Sequence, residues 1–126
     1  MHIEEYFQIV KETISNCGFV VSSQVSFDAR TSHIGYIKAI LYFVDGSQLH
    51  FREYVDIRIQ VLKEDYSYHY QKENRLIFRY DNAPHHREIS SFPHHKHLDS
   101  EENVVSTSEP SLVIILIEIE DLIGRI

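Results

Sequence analysis

The segment Asp45-Gly46-Ser47-Gln48-Leu49-His50-Phe51-Arg52-Glu53-Tyr54-Val55 reads as the turn and one arm of a β-hairpin. Asp-Gly accepts the positive φ angles of a tight hairpin turn, and the residues after it alternate with a period of two. That period puts Leu49, Phe51 and Val55 on one side of a strand and His50, Arg52 and Tyr54 on the other. Upstream, Ile34 to Val44 supplies the other arm. Phe19 to Ala29 adds a further strand across a polar turn at Arg30-Thr31-Ser32. Downstream, residues 57–63 are expected to extend the sheet. Tyr66 to Tyr70 and Leu76 to Tyr80 form a second hairpin about Lys72-Glu73-Asn74. Residues 81–107 carry Pro84 and Pro93 and show no periodicity, so they read as a long ordered loop, the kind that in a compact domain tends to carry function.

Both ends of the chain are helical by pattern. Tyr6, Phe7, Ile9, Val10 and Ile14 recur at helical spacing between Glu4 and Cys17, and Gly18 suits a C-terminal cap. At the other end, Ser106 and Glu109 fit a capping box and Pro110 a first turn. Leu112, Ile115, Leu116, Ile119, Leu122 and Ile123 form an apolar stripe. Val113, Ile114 and Ile117 widen that stripe, and their β-branching leaves a strand over 112–119 as the alternative. The expected fold is therefore α+β: one domain over residues 1–126, an antiparallel sheet of about five strands, and an N-terminal and a C-terminal helix. The surplus apolar surface of the last segment suggests a protein partner or a homo-oligomer.

Composition narrows the function. The chain has 126 residues, 43% hydrophobic and 12% aromatic, too apolar for a disordered chain. The longest apolar run, Leu112 to Ile117, is far short of a membrane span. The N-terminus lacks the pattern of a signal peptide, and the single cysteine, Cys17, cannot form an intrachain disulfide. The expected compartment is the cytoplasm. Four glycines and no glycine-rich phosphate loop argue against nucleoside triphosphate chemistry. The net charge of −7 is uneven: residues 75–97 carry +2 and five of the nine histidines, while residues 98–126 carry −6. A locally basic, titratable segment can hold phosphate within an acidic protein.

That segment holds Asp81-Asn82-Ala83-Pro84-His85-His86-Arg87 and Phe92-Pro93-His94-His95-Lys96-His97. Cleaving an RNA phosphodiester without metal needs a base for the 2′-hydroxyl, an acid for the leaving oxygen and a cation for the phosphate. His85, His86, His94, His95 and His97 are the candidates for proton transfer, with Asp81 orienting one of them. Arg79 and Arg87 would hold phosphate and Lys96 the charge of the transition state. Tyr68 and Tyr80 offer faces for base stacking, and Arg52 would join from the neighbouring strand face together with His50 and Glu53. Tyr68 and His69 fall on opposite faces, so only one of them can enter a common site. The expectation is no cofactor. The competing use of the same five histidines, with Asp81, is a transition-metal site. Cys17 reads as a small buried group.

The strings Leu49-His50-Phe51-Arg52-Glu53-Tyr54, Tyr66-Ser67-Tyr68-His69-Tyr70-Gln71, Phe78-Arg79-Tyr80-Asp81-Asn82-Ala83-Pro84-His85-His86 and Phe92-Pro93-His94-His95-Lys96-His97 resemble the TumE-type proteins, over roughly residues 20–125. These are proposed toxins of type II toxin–antitoxin pairs in archaea and bacteria. The resemblance implies a cognate antitoxin and assigns no reaction. Joined to the histidine chemistry, it points to a metal-independent endoribonuclease toxin. The alternatives are a non-catalytic RNA- or protein-binding module and a metal-dependent hydrolase built on the same histidines.

Overall fold

The computed structural model describes residues 1–124. Helix α1 (Ile3–Ser15) leads into seven strands: β1 (Val20–Ala29), β2 (Ile34–Phe43), β3 (Gln48–Asp56), β4 (Leu62–Lys72), β5 (Arg75–Asp81), β6 (His95–Leu98) and β7 (Val104–Ser106). Helix α2 (Leu112–Gly124) follows. The strands pair in sequence order, every neighbour antiparallel, as a meander. The α+β class holds, but the strand number is corrected from about five to seven. The short β6 and β7 lie inside residues 81–107, where four and three residues are too few to show a period of two. A second correction concerns residues 57–63: β3 stops at Asp56, residues 57–61 leave the sheet, and β4 begins at Leu62.

Both helices cover one face of this sheet. The covered face is built from Ile37, Ala39, Leu41 and Phe43 of β2, Leu49, Phe51 and Val55 of β3, Tyr66, Tyr68 and Tyr70 of β4, and Phe78 and Tyr80 of β5. Against it pack Tyr6, Phe7, Val10 and Ile14 of α1 and Leu112, Ile115, Leu116, Ile119 and Ile123 of α2. The strand alternative for residues 112–119 fails for a tertiary reason. A sheet face this apolar needs a cover, and a helix with residues at i, i+3, i+4 and i+7 supplies one despite β-branching. The helix starts later than the capping-box pattern suggests: Ser111 Oγ accepts the Ile114 N–H at 3.3 Å, and Ser106 ends β7. Val113, Ile114 and Ile117 remain about half exposed, on the side of α2 turned from the sheet. Among the described residues no helix is long and apolar enough to cross a membrane.

One bulge rearranges the polar residues. Between Tyr54 and Val55 the register to β4 slips, with Tyr54 opposite Asp65 and Val55 opposite Lys63. The extra residue inverts the alternation before it, so Lys63 turns inward although Asp65, Ser67 and His69 turn outward. Lys63 Nζ then donates to Tyr68 Oη at 2.5 Å and to the Pro110 carbonyl at 2.7 Å, and lies 3.5 Å from Glu53 Oε2. Glu53 also accepts from the Tyr6 hydroxyl at 2.5 Å and from the Tyr68 hydroxyl. Burial, reinforced by the Glu53 carboxylate, pushes both phenols above their ordinary value and keeps them as donors. Glu53 thus sits in the core, and the expected polar set with His50 and Arg52 is corrected: those two lie on the opposite face.

Candidate functional site on the open sheet face

The face without helices is polar, and strand register organises it. One row across the sheet runs Ile40, His50, His69, Arg79, His97; each residue stands directly opposite the next on the neighbouring strand. The adjacent row runs Lys38, Arg52, Ser67, Asp81, His95 in the same manner. Such direct neighbours have Cβ atoms about 5 Å apart. Together the rows form the floor and walls of a cleft of about 490 Å³ lined by Lys38, His50, Arg52, Ser67, His69, Arg79 and Asp81. His50 and His69 meet edge to face with ring centroids 6.4 Å apart. Partial burial holds His69 below its ordinary pKa, and the nearby Arg79 guanidinium adds to the effect, so His69 is poised as a neutral base. Arg52 reaches Asp65 at 3.5 Å, a loose exposed pair that leaves its guanidinium largely to solvent.

At the β5–β6 end the cleft meets a tight cluster. Arg79 is clamped by Glu101, NH1 to Oε1 and NH2 to Oε2 both at 2.6 Å, and its Nε donates to Asp81 Oδ2 at 3.1 Å. Those hydrogen bonds hold Arg79 charged and the Glu101 carboxyl below its ordinary range. His95 Nε2 lies 3.0 Å from Asp81 Oδ1, and His97 Nε2 lies 3.2 Å from Arg79 NH2. Burial lowers the His97 pKa, so its ring is neutral. The loop of residues 82–94 folds back through short turns, Ile89 N–H to His86 O and Phe92 N–H to Ile89 O, and lays His86 on the pair. The ring centroids of His86 are 5.1 Å from His95 and 5.8 Å from His97. One ring nitrogen from each of the three histidines lies within 4.8 Å of the others, a spacing that can hold a metal ion.

The expected constellation is therefore only partly assembled. His86, His95, His97, Asp81 and Arg79 converge; His85 and His94 do not. His85 is exposed beyond His86. His94, just before β6, turns to the inner side away from His95: it stacks on Tyr66 and bonds its hydroxyl at 2.9 Å. Lys96 shares that inner side: its ammonium donates to Glu118 at 2.7 Å and lies over the Tyr80 ring, beneath α2 and away from the cleft. Tyr80 donates to Glu118 at 2.6 Å, and Tyr68 is completely buried under the helices, so neither ring face is open to a base. Arg87 lies over Phe92 on the exposed loop. Lys38, Ser67 and Glu101 belong to the site but had not been singled out. The alternation of β2 and β4 placed the first two on the polar face, but only the register shows that they stand beside Arg52 and Asp81.

A family model described as Toxin TumE matches residues 9–123, nearly the whole chain, including every strand of the cleft. A search of the curated proteins and a search of the solved structures returned no significant match. With that span of the sequence matched, the chain belongs to the TumE toxin family.

Proposed function

We propose that the protein is the toxin of a toxin–antitoxin pair and that it cuts RNA in the cleft of the open sheet face. The observation that carries this reading is the pairing of two open cations, Lys38 and Arg52, with two adjacent histidines, His50 and His69, on one solvent-open surface, with the Glu101-bound Arg79 beside them. The cations hold the phosphodiester and stabilise the charge that develops on its oxygens. His69 takes the proton of the ribose 2′-hydroxyl as that oxygen bonds to phosphorus. The bond from phosphorus to the 5′-oxygen breaks, and His50 returns a proton to that oxygen. The products are a 2′,3′-cyclic phosphate and a free 5′-hydroxyl. The cytoplasm is the compartment this activity requires. A cognate antitoxin follows from the toxin family, and the uncovered side of α2 at Val113, Ile114 and Ile117 is the apolar surface open to a protein partner.

The test uses end-labelled single-stranded RNA with the wild type and the variants Lys38→Gln, His50→Gln and His69→Gln. All three positions lie on the open face, away from the helix-covered core. The reading expects the histidine variants to bind RNA but not to cut it. It expects Lys38→Gln to weaken binding and to reduce the salt slope of log K by about one. RNA that is retarded in a gel but never shortened by the wild type refutes catalysis and leaves an RNA-binding module. RNA neither bound nor cut removes RNA as the target.

A further inference from the structure

We infer that His86, His95, His97 and Asp81 form a binding site for a divalent transition metal of the zinc class, which clamps the 82–94 loop onto β5 and β6. This inference stands apart from the RNA reading, because it rests on a different end of the open face and on different groups.

The first support is the way the rings are held. His95 Nδ1 is 3.0 Å from the Pro93 carbonyl oxygen, and His97 Nδ1 is 2.9 Å from the Glu101 carbonyl oxygen. A carbonyl oxygen only accepts, so each Nδ1 carries a proton, and His97 Nε2, which accepts from Arg79, carries a lone pair. A ligating histidine is oriented in this manner, its second nitrogen donating to a backbone carbonyl or carboxylate. His86 follows the pattern at longer range, with Nδ1 3.5 Å from the Glu88 carboxylate. The second support is the space between the lone pairs. His95 Nε2 faces Asp81 Oδ1 at 3.0 Å, and His97 Nε2 lies 3.7 Å from Asp81 Oδ2. A cation shared between these atoms, either a metal ion or a proton on His95 Nε2, satisfies both of them. Zinc bonds of about 2.0–2.1 Å in a tetrahedron put ligand atoms about 3.3 Å apart, between the two distances observed.

The backbone adds a third support. His86 sits in the left-handed region at φ 60°, a conformation that costs a side-chain-bearing residue about 1 kcal/mol. It is this turn that brings its ring against His95 and His97. Three imidazoles and one carboxylate suit zinc and its neighbours in the transition series; calcium and magnesium prefer all-oxygen sites. Four protein ligands make a closed site, which is the structural rather than the catalytic form. Arg79 adjusts at small cost: its N–H leaves His97 Nε2, and its contacts to Glu101 and to Asp81 Oδ2 remain.

The experiment titrates the metal-stripped protein with Co2+ and with Zn2+. It follows visible absorption for Co2+, bound zinc by mass spectrometry after dialysis, and the thermal midpoint with and without EDTA. The wild type is expected to retain one equivalent of zinc, to show the strong visible bands of tetrahedral Co2+, and to melt higher with metal. His86→Ala, a change in a half-exposed loop residue, should fold as the stripped wild type does and lose roughly 100-fold or more in affinity. His85→Ala should bind as the wild type does. Substoichiometric zinc in the wild type overturns the inference. So does His86→Ala binding as tightly as the wild type, or His85→Ala losing as much as His86→Ala.

Discussion

Replacing Lys63 by methionine should be among the most damaging single changes in this chain, and restoring charge balance should repair much of it. Lys63 and Glu53 are buried, with side chains 5% and 0% exposed, and no water reaches the carboxylate. Lys63→Met keeps the length and apolar stem but removes the ammonium. Glu53 then retains only the hydroxyls of Tyr6 and Tyr68, and the Pro110 carbonyl loses its donor. Removing one partner of a buried ion pair costs about 3–5 kcal/mol, and the orphaned carbonyl places this case near ~4 kcal/mol. For a domain of this size that is a drop of roughly 12–20 °C in the thermal midpoint. Glu53→Gln in the same background removes the stranded charge: its amide oxygen accepts from one hydroxyl, and its NH2 donates to the other. The double variant should therefore lie at least ~2 kcal/mol above the sum of the two single losses. Urea denaturation of the four proteins of the cycle measures this. A Lys63→Met loss below ~1 kcal/mol, or a double variant that simply sums the singles, would refute the buried pair as the tie between β3, β4, α1 and the approach to α2.

Gly35→Ala tests how α1 seats on β2. A Cβ at that position would stand 2.6 Å from Ile3 Cγ1 and 2.7 Å from Phe7 Cζ, both on buried side chains with little room to swing. A loss of about 1–3 kcal/mol is expected, partly recovered by adding Ile3→Val; unchanged stability would mean that α1 does not lie there. Stability should also fall on mild acidification. His69 is held below its ordinary pKa by burial, so between that lowered value and about 6.5 the unfolded chain binds the proton and the folded chain does not. Its contribution is complete above about pH 6.5 and is lost as pH falls toward the folded value. Urea midpoints measured in EDTA from pH 7.5 to 5.5 should fall, and less so in His69→Gln; parallel curves would count against it. Asp56, held low by its Arg58 hydrogen bonds, and Glu101, held low by Arg79, add a second loss below about pH 4.

Residues with a strong local period declared their elements in advance. The alternation around His50 and Arg52 named both faces of β3, Asp45-Gly46 named the β2–β3 turn, and the apolar stripe of α2 named its buried side. What lacked a period was missed: β6 and β7 are too short to alternate visibly, and Lys63 points inward only because a bulge beside Glu64 shifts the phase. The histidine cluster was visible as density along the chain, but density does not say which rings meet. His94 and His95 are adjacent in sequence, yet where the chain enters β6 they turn to opposite faces, one onto Tyr66 and the other onto Asp81.

The amino-acid sequence by itself determined the α+β class, the N-terminal helix, the hairpin order and the toxin family, because these depend on local periodicity, turn chemistry and motif strings; that residues 112–124 form a helix and not a strand was settled by the sheet face they cover. Only the tertiary structure decided the site. Its two rows, His50–His69–Arg79–His97 and Lys38–Arg52–Ser67–Asp81–His95, draw residues from positions 38 to 97 into direct opposition. Their neighbours are set by strand register, and a slip of one residue would turn each set to the other face. Register is fixed by which apolar side chains meet under the helices, a long-range packing condition that no window of sequence contains.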